Sequence, residues 1–218
     1  GFSNYVWNYR LSYKFIEEIK TQYPEIITIW GGPNAPSDHG ELQDFLETHP
    51  AVDFYIIKEA ELALSMLVNE LQACGFAAPK VNCSALPNIV FRDQHKAVVS
   101  NDLQRVMDLS TIPSPYLSGR LDRFLDGRLM PIIQTNRGCP FSCSFCTEGQ
   151  TYWNKVRKKP NDIIAGELNY ISNFFERHAT NARSDLLIAD SNFGMFPEDL
   201  ETCQVISKSQ ERNGYPQY

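Results

Sequence analysis

The stretch Gly138-Cys139-Pro140-Phe141-Ser142-Cys143-Ser144-Phe145-Cys146 carries three of the six cysteines of this 218-residue chain, with the spacing Cys-x-x-x-Cys-x-x-Cys. Thiolates are soft ligands that select zinc, copper(I) or iron–sulfur clusters. A structural zinc site takes four ligands, usually in two close pairs, and the nearest other cysteines are Cys83 and Cys203. Three thiolates on one loop favour a 4Fe–4S cluster whose fourth iron stays open. A zinc knuckle and three unrelated thiols are the alternatives.

The segment before this loop, residues 131–135, is a short apolar run that predicts a buried strand. The cysteine loop follows at once, so a bound metal would lie at the carboxyl end of that strand, where (β/α) barrels hold their active sites. At this point the sequence resembles the radical SAM superfamily, whose motif Cys-x-x-x-Cys-x-aromatic-Cys follows the first barrel strand. Phe145 supplies the aromatic residue of that motif.

This resemblance implies that Cys139, Cys143 and Cys146 ligate a 4Fe–4S cluster and that S-adenosylmethionine (SAM) chelates the fourth iron through its amino and carboxylate groups. Phe145 would then lie against the adenine of SAM. The implied reaction is one-electron cleavage of SAM to methionine and a 5′-deoxyadenosyl radical, which abstracts hydrogen from a substrate. Such an enzyme needs an electron donor such as flavodoxin or ferredoxin as a partner.

Polar residues follow the second predicted barrel strand, residues 185–190. Because such barrels place polar groups near SAM at strand ends, we interpret Asp190 and Asn192 as SAM-binding residues, with a helix-capping turn as the alternative. Arg157 and Glu167 also resemble family positions, although a structural salt bridge explains them equally well.

Two polar residues just before Gly138 and the first cysteine, Asn136 and Arg137, flank the expected cluster. They are candidates for hydrogen bonds that orient its ligands. Four cations at positions 155–159, by contrast, are typical of a solvated loop.

The first half of the chain alternates helical and strand patterns. Helices are predicted over about residues 7–23, 39–48 and 59–73, with buried strands over 25–30 and 52–57. This alternation is typical of a parallel, doubly wound sheet. Residues 87–93 and 97–99 predict a small hairpin appended to that sheet.

A second resemblance comes from Ser3-x-Tyr5 and Gly31-Gly32, which are similar to the Ser-x-Leu and Gly-Gly elements of cobalamin-binding domains. Residues 52–61 resemble the strand ending in Gly-Glu-Gly-Glu of radical SAM proteins with an amino-terminal cobalamin domain, although Lys58 and Ala60 replace its glycines. The resemblance implies that Ser3, Gly31, Gly32 and Glu59 bind cobalamin. A plain turn is the alternative for Gly31-Gly32.

These readings predict an α/β chain: a partial flavodoxin-like sheet of the cobalamin-binding type, followed by the first part of a radical SAM (β/α) barrel. We place the cobalamin-binding part with its hairpin at residues 1–108, a proline-rich linker with a short helix (119–126) at 109–127, and the barrel part at 128–218. In the barrel part, helices are predicted over 160–178 and from 197 onward.

The chain starts without a methionine and ends soon after the cysteine loop, whereas full barrels need roughly 200 residues or more. We therefore expect an internal fragment of a longer protein. Its barrel would stop after the second strand and leave a sheet edge open, so we expect residues 1–218 alone to be a poor catalyst.

Composition excludes several functional classes. The net charge of −6 gives no reason to expect nucleic acid as a partner, and the sequence holds no apolar run long enough to span a membrane. Clustered metal-type cysteines without a secretory signal favour a reducing cytoplasm. Cys74, Cys83 and Cys203 are interpreted as ordinary thiols.

Three functional hypotheses follow. The first is a cobalamin-dependent radical SAM enzyme, a methyltransferase acting on an unactivated carbon. The second is cobalamin-independent radical SAM rearrangement or oxidation with a vestigial cobalamin domain. The third is a cluster- or cobalamin-binding module without catalysis. The substrate, a small molecule or a peptide, cannot be read from these residues.

Overall fold

Parallel strands organise both halves of the chain. The computed structural model describes residues 1–36, 38–77, 81, 83–93, 95, 98–178 and 183–218. Within them the chain divides into two units, Gly1–Val106 and Met107–Tyr218. The predicted boundaries at residues 108 and 127 stay predictions about the domains of the whole protein.

The first unit has five strands in the order β1-β2-β3-β4-β5. Its elements are β1 (Phe2–Ser3), α1 (Tyr9–Gln22), β2 (Ile29–Gly31), α2 (His39–Glu47), β3 (Phe54–Ile56), α3 (Glu61–Ala73), β4 (Ile89–Arg92) and β5 (Val98–Ser100). The first three strands are parallel, and β4 and β5 add an antiparallel hairpin. The predicted sheet and hairpin are therefore confirmed, while Ala97 lies outside the described residues.

The second strand begins later than predicted because a side chain replaces the sheet ladder before it. Thr28 donates its backbone N–H to the Asp53 carboxylate at 2.7 Å, and residues 25–28 are not in the strand. Asp53 in turn pairs with Lys20 of α1 at 2.7 Å. The third helix also begins late, at Glu61, because Lys58 adopts a left-handed φ of 62° that a helix cannot use.

Two apolar layers hold the first unit together. On one face of the sheet, Trp30 and Ile16 are fully buried, and Trp30 stacks with Tyr9 and Tyr13 of α1 at centroid distances of 5.6 Å. On the other face, Leu67 of α3 packs in a cluster with Ile89 and others. Helix α2 starts where Asp38 accepts hydrogen bonds from the N–H groups of Gly40 and Glu41, a standard N-cap.

The loops after β1 and β2 are joined by a buried polar network around Asn4, which is fully buried. Asn4 donates its backbone N–H to Gly31 O at 2.6 Å and its side-chain amide to Tyr55 Oη at 2.8 Å. Tyr55 Oη donates to Gly32 O at 3.1 Å, and burial raises the pKa of this phenol. The ends of the three parallel strands are therefore fastened to each other by hydrogen bonds.

The second unit is the opening of a (β/α) barrel. Its elements are β6 (Ile132–Ile133), β7 (Asn136–Arg137), β8 (Arg157–Lys158), α4 (Asn161–His178), β9 (Leu187–Ile188) and α5 (Asp199–Asn213). Strands β6 and β9 are parallel neighbours, as predicted, and α4 links them with Ile164, Leu168 and Ile171 fully buried. A core of eight residues around these three includes Ile133 of β6.

Two features of this unit differ from the predictions. The helix predicted over 119–126 is wrong: the chain forms turns and a single 3-10 turn, Asp122–Phe124, because Gly119 takes a φ of +69°. The predicted basic loop contains β8, which pairs antiparallel with β7. Among the helices of the described residues, none is both long and apolar enough to cross a membrane.

We predict that Gly32→Ala destabilises the protein by about 3 kcal/mol or more. A Cβ at this position would lie 2.4 Å from Asn4 O, and its φ of +139° is unfavourable for any side chain. The measurement is denaturant unfolding of the intact protein. Gly75→Ala is the control: its φ is +65° and its Cβ would meet nothing within 4 Å, so it should cost only about 1 kcal/mol. Equal effects of the two changes would contradict the close-approach argument.

Candidate functional site

The cysteine loop leaves β6 through β7 and turns back on itself. Cys139 is buried and donates its backbone N–H to Trp153 O at 2.9 Å, which fixes the start of the loop. Cys143 and Cys146 are exposed on one turn, where Cys146 N donates to Cys143 O at 3.1 Å. Phe145, between them, is 91% exposed. The loop thus presents two thiols and an aromatic ring outward and holds the third thiol inside.

A glycine that the sequence analysis did not single out shapes this turn. Gly149 donates its N–H to Cys146 O at 3.0 Å. A Cβ at Gly149 would lie 2.2 Å from Cys143 O, so only glycine allows this approach. The signal for it, a lone glycine shortly after the last cysteine, is too common in sequences to have been decisive.

Zinc and a cubane cluster place different demands on the thiols that bind them. Among the described residues, no group of three or more His, Cys, Asp or Glu side chains converges closely enough to hold one metal ion. A tetrahedral zinc ion with bonds of about 2.3 Å needs sulfurs roughly 4 Å apart. A cubane cluster binds each thiolate to a different iron and takes more widely spaced sulfurs. The feature that favours a cluster here is the spacing of three cysteines on one loop directly after a barrel strand.

Asp190 lies at the carboxyl end of β9 and fastens it to the chain that follows β6. It accepts backbone hydrogen bonds from Thr135 N at 2.8 Å and Asn136 N at 3.2 Å, and it also accepts one from the Thr135 hydroxyl. Its neighbour Ser191 donates to Glu148, just after the last cysteine. The strand end predicted to bind SAM is thereby tied to both ends of the cysteine loop.

Four buried side-chain atoms on the segments around β7, β8 and the end of β9 have no hydrogen-bond partner among the described residues. Asn136 is 1% exposed, yet neither atom of its side-chain amide has a hydrogen-bond partner. The same holds for Asn192 Nδ2 and Arg157 Nε, which are buried without a partner. Leaving such a group unpaired costs about 1–3 kcal/mol, so native structures almost always pair them with protein, water or a ligand. Donors and an acceptor at this place fit a polar molecule such as SAM.

Two of the other cations of the basic segment, Lys158 and Lys159, are held by buried acids. Lys159 Nζ lies 3.1 Å from Glu167, whose side chain is 1% exposed, and Lys158 Nζ lies 2.6 Å from Asp199, whose side chain is 2% exposed. Glu167 therefore forms a structural ion pair with Lys159, which is one of the two interpretations that its sequence position allowed. The basic segment is therefore not the solvated loop that the sequence indicated. The pairing of Asp199 with Lys158 could not be recognised from the sequence.

Two further predicted residues have structural contacts. Arg137 donates to the side chain of Gln134 at 3.0 Å. Arg157 lies close to Met107, with 3.2 Å between Nη2 and Sδ. Of the remaining thiols, Cys83 is buried, and burial raises its pKa to about 11, so it stays protonated and unreactive.

The residues predicted to bind cobalamin lie along the carboxyl ends of the parallel strands in the first unit. Ser3 pairs with Gly31, and Gly31 pairs with Ile56, so these three lie side by side in register. Ser3 is exposed and accepts a hydrogen bond from Asn8 Nδ2 at 2.8 Å, which leaves its own O–H able to donate. The sheet therefore brings Ser3 and Gly31 to one rim.

Glu59 follows the same rim but faces inward. It is buried, and it accepts hydrogen bonds from Arg105 Nε at 3.2 Å and from Val106 N at 2.6 Å. These contacts fasten the end of the first unit to the start of α3. Two observations thus qualify the predicted set: Glu59 has structural partners, and Gly32 is required by the close approach of Asn4.

Comparisons with known proteins agree with this geometry. No protein-family model matches the chain. The chain is 34% identical over 220 residues to the cobalamin-dependent radical SAM methyltransferase TokK of Streptomyces tokunonensis, covering 98% of this chain and 30% of that protein. It is 31% identical, with the same coverage, to the 2-(S-pantetheinyl)-carbapenam-3-carboxylate methyltransferase of Streptantibioticus cattleyicolor. The chain thus spans about a third of the length of these curated relatives.

A solved structure shows the same fold. The cobalamin-dependent S-adenosylmethionine radical enzyme OxsB, with aqua-cobalamin and S-adenosylmethionine bound, matches with a TM-score of 0.71 at 21% identity, covering 96% of this chain and 28% of that one. The chain combines a flavodoxin-like sheet with the first part of a (β/α) barrel and three cysteines on one loop. This combination is that of a cofactor-binding α/β protein. The chain belongs to the radical SAM superfamily, in the subgroup with an amino-terminal cobalamin-binding domain.

We predict that the Lys158–Asp199 pair makes stability depend on pH. Burial raises the pKa of Asp199, but hydrogen bonds from Lys158 and from the N–H groups of Phe196 and Gly194 outweigh it and hold the pKa below its usual range. A depressed carboxyl pKa stabilises the fold above the unfolded value, about 3.9, and this stabilisation is lost as the pH falls through the folded value. Asp199→Asn should therefore cost about 2 kcal/mol at pH 7 and progressively less below about pH 4.

Denaturant unfolding of the intact protein across this pH range is the measurement. Glu17→Gln is the control, because Glu17 is 3.5 Å from Lys14 in an exposed pair and should have no measurable effect at pH 7. An effect of Asp199→Asn that did not change between pH 7 and pH 3 would show that the charge of Asp199 is not what stabilises the fold.

Proposed function

We propose that this protein is a radical SAM enzyme that uses a 4Fe–4S cluster and SAM, and that it depends on cobalamin for methyl transfer to an unactivated carbon. The observation that carries the proposal is the position of the cysteine loop, directly after the first strands of the barrel part. Three cysteines on one loop follow a barrel strand, in a unit that also holds buried polar atoms without a hydrogen-bond partner. The relatives support cobalamin dependence and methyl transfer through their names.

In this proposal each thiol of the loop has one role. Cys139, Cys143 and Cys146 hold three irons of the cluster and leave the fourth accessible to SAM. When bound, these groups supply one-electron cleavage of a carbon–sulfur bond of SAM, and cobalamin supplies a carrier for the methyl group. The buried start of the loop at Cys139 restricts water on one side of the cluster, which affects its reduction potential.

The polar atoms without partners orient SAM. Asn136 offers a donor and an acceptor, and Asn192 offers a donor, next to the strand ends of β6 and β9. Asp190 supports these groups by holding Thr135 and Asn136 in place, and so acts through the backbone. Phe145, 91% exposed, supplies an apolar face for the adenine.

The cobalamin-binding part of the proposal uses the rim of the first unit. Ser3 offers an exposed hydroxyl for a hydrogen bond, and Gly31 and Gly32 keep the neighbouring strand end free of side chains. Glu59 contributes by fixing the rim through Arg105 and Val106. Ligands of open parallel sheets bind outside the carboxyl ends of the strands, which is where these residues lie.

The substrate class follows from one relative, which is named for a carbapenam carboxylate that carries a pantetheinyl group. We propose a small organic molecule as substrate rather than a peptide. A one-electron donor such as flavodoxin or ferredoxin is the expected partner, and a reducing compartment such as the cytoplasm is the expected location, because thiolate-bound clusters persist there.

We predict that anaerobic reconstitution of the protein gives about four irons and four sulfides per chain. Cys139→Ala, Cys143→Ala and Cys146→Ala should each abolish the cluster, because each removes one of only three protein ligands. The measurement is iron and sulfide content together with the electron paramagnetic resonance signal after reduction. Cys203→Ala is the matched control, since this cysteine is also exposed but lies on α5. Stoichiometric zinc in place of iron would refute the cluster assignment.

The experiment that tests the function is incubation of the intact, reconstituted protein with reductant, cobalamin and SAM labelled in its methyl group. We expect 5′-deoxyadenosine, S-adenosylhomocysteine and transfer of the label to added carbapenam-type acceptors. Asn136→Leu should weaken SAM binding by about tenfold, because leucine has a similar volume but lacks the buried donor and acceptor of the amide. Formation of 5′-deoxyadenosine without any bound corrinoid would instead establish the cobalamin-independent alternative.

A further inference from the structure

Arg157 of β8 is a half-buried cation for which the described residues supply no anion. Its Nε is buried and has no hydrogen-bond partner. Nη1 lies 3.4 Å from the carbonyl oxygen of its own neighbour Val156, and Nη2 lies 3.2 Å from the sulfur of Met107, a weak acceptor. Among the described residues, no carboxylate forms an ion pair with Arg157. Most of the donor capacity of this guanidinium group is therefore unused.

The two residues that follow Arg157 differ from it in this respect. Lys158 Nζ lies 2.6 Å from Asp199 and Lys159 Nζ lies 3.1 Å from Glu167, and the side chains of both acids are almost fully buried. The fold thus supplies an acid to each neighbouring cation but not to Arg157. Because native structures rarely leave a buried donor without an acceptor, this contrast indicates an acceptor that arrives with a ligand.

The position of Arg157 places it near the expected active site. Strand β7 continues the chain from β6, and β8 pairs with β7 so that Arg157 lies directly opposite Arg137. Side chains directly opposite each other in an antiparallel pair share a face. Arg137 donates to Gln134 and, like every arginine, has no acceptor to offer to Arg157. Arg157 therefore lies beyond the carboxyl end of the first barrel strand, the end at which barrel enzymes bind substrates.

The donor geometry and the neighbouring side chain indicate the class of ligand. A guanidinium group forms two parallel, charge-assisted hydrogen bonds to a carboxylate, which adds orientation to affinity. Met107, 68% exposed, offers an apolar contact directly beside the guanidinium group. A small organic acid, with an anionic group on an apolar body, is complementary to both features.

We propose that Arg157 binds a carboxylate of the substrate, an inference that rests on the proposed function and narrows its substrate class to small organic acids. Nε and one Nη of Arg157 donate to the two carboxylate oxygens. This contact orients the substrate relative to the cysteine loop, whose first cysteine, Cys139, follows the cross-strand neighbour Arg137 by two residues.

SAM also carries a carboxylate, and the register of β7 and β8 separates the two ligands. Successive side chains of a strand point to opposite faces, so Asn136 and Lys158 lie on the other face of this pair from Arg157. The amide of Asn136 is proposed to orient SAM, whose own carboxylate is expected at the open iron. A different molecule is therefore expected at Arg157.

The test compares a carboxylate ligand with its uncharged ester. Binding of 2-(S-pantetheinyl)-carbapenam-3-carboxylate and of its methyl ester to the intact, reconstituted protein with SAM is measured by isothermal titration calorimetry. In the wild type the acid should bind tighter than the ester. Arg157→Gln should weaken binding of the acid by about 10- to 100-fold and leave that of the ester unchanged. Arg157→Lys should keep part of the preference, because it keeps the charge but loses the two parallel hydrogen bonds.

Further measurements separate this role from a structural one and from a contact with SAM. Arg157→Gln should retain the iron content and the SAM affinity of the wild type. Arg128→Gln is the matched control, since the Arg128 side chain is 87% exposed, and its preference for the acid should equal that of the wild type.

Three outcomes would contradict the inference. An unchanged preference for the acid in Arg157→Gln would overturn it and leave the proposed function standing. A loss of SAM affinity with that preference intact would also overturn it and assign Arg157 to the carboxylate of SAM. A wild-type protein that bound neither the acid nor the ester would overturn the proposed substrate class, and the inference with it.

Discussion

Both units of this chain depend on one constraint: backbone groups that leave the carboxyl ends of parallel strands must still be hydrogen bonded once they are buried. In the first unit Asn4 meets this constraint, with its N–H on Gly31 and its amide on Tyr55. In the second unit Asp190 meets it by accepting from Thr135 and Asn136. The loops that carry the candidate ligands are therefore held in place before any cofactor binds, which lowers the entropic cost of binding.

In the candidate SAM site, by contrast, some buried polar groups have no hydrogen-bond partner among the described residues. Three consecutive residues of β8 and its continuation show the contrast. Lys158 and Lys159 pair with the buried acids Asp199 and Glu167, whereas Arg157 Nε has no partner. A stretch whose charges were all structural would pair all three. In the register of this pair Asn136 lies opposite Lys158 and Arg157 lies opposite Arg137, so the amide and the guanidinium belong to opposite faces and are two separate unpaired groups.

Sequence patterns predicted those parts of the fold that have a period or a motif. Helix α4 was recognisable from Ile164, Leu168 and Ile171, and the cysteine spacing identified the loop directly. The β7–β8 pair was missed because strands of two residues have no period to detect. The partner of Lys158, Asp199, was missed because an ion pair between segments 41 residues apart depends on tertiary packing. The same limit applies to the candidate site, because a buried atom without a hydrogen-bond partner can be recognised only when the positions of its neighbours are known.

Two positive-φ positions at the strand ends of the first unit, Gly32 and Lys58, differ in how strictly packing fixes the residue. At Gly32 a Cβ would lie 2.4 Å from Asn4 O, so packing alone demands glycine and the chain has it. At Lys58 the φ of 62° is one that a side chain can occupy at a modest cost, and here the chain has lysine where the resembled pattern has glycine. Glycine would be the less strained choice at position 58, whereas at position 32 it is the one residue that the close approach of Asn4 allows.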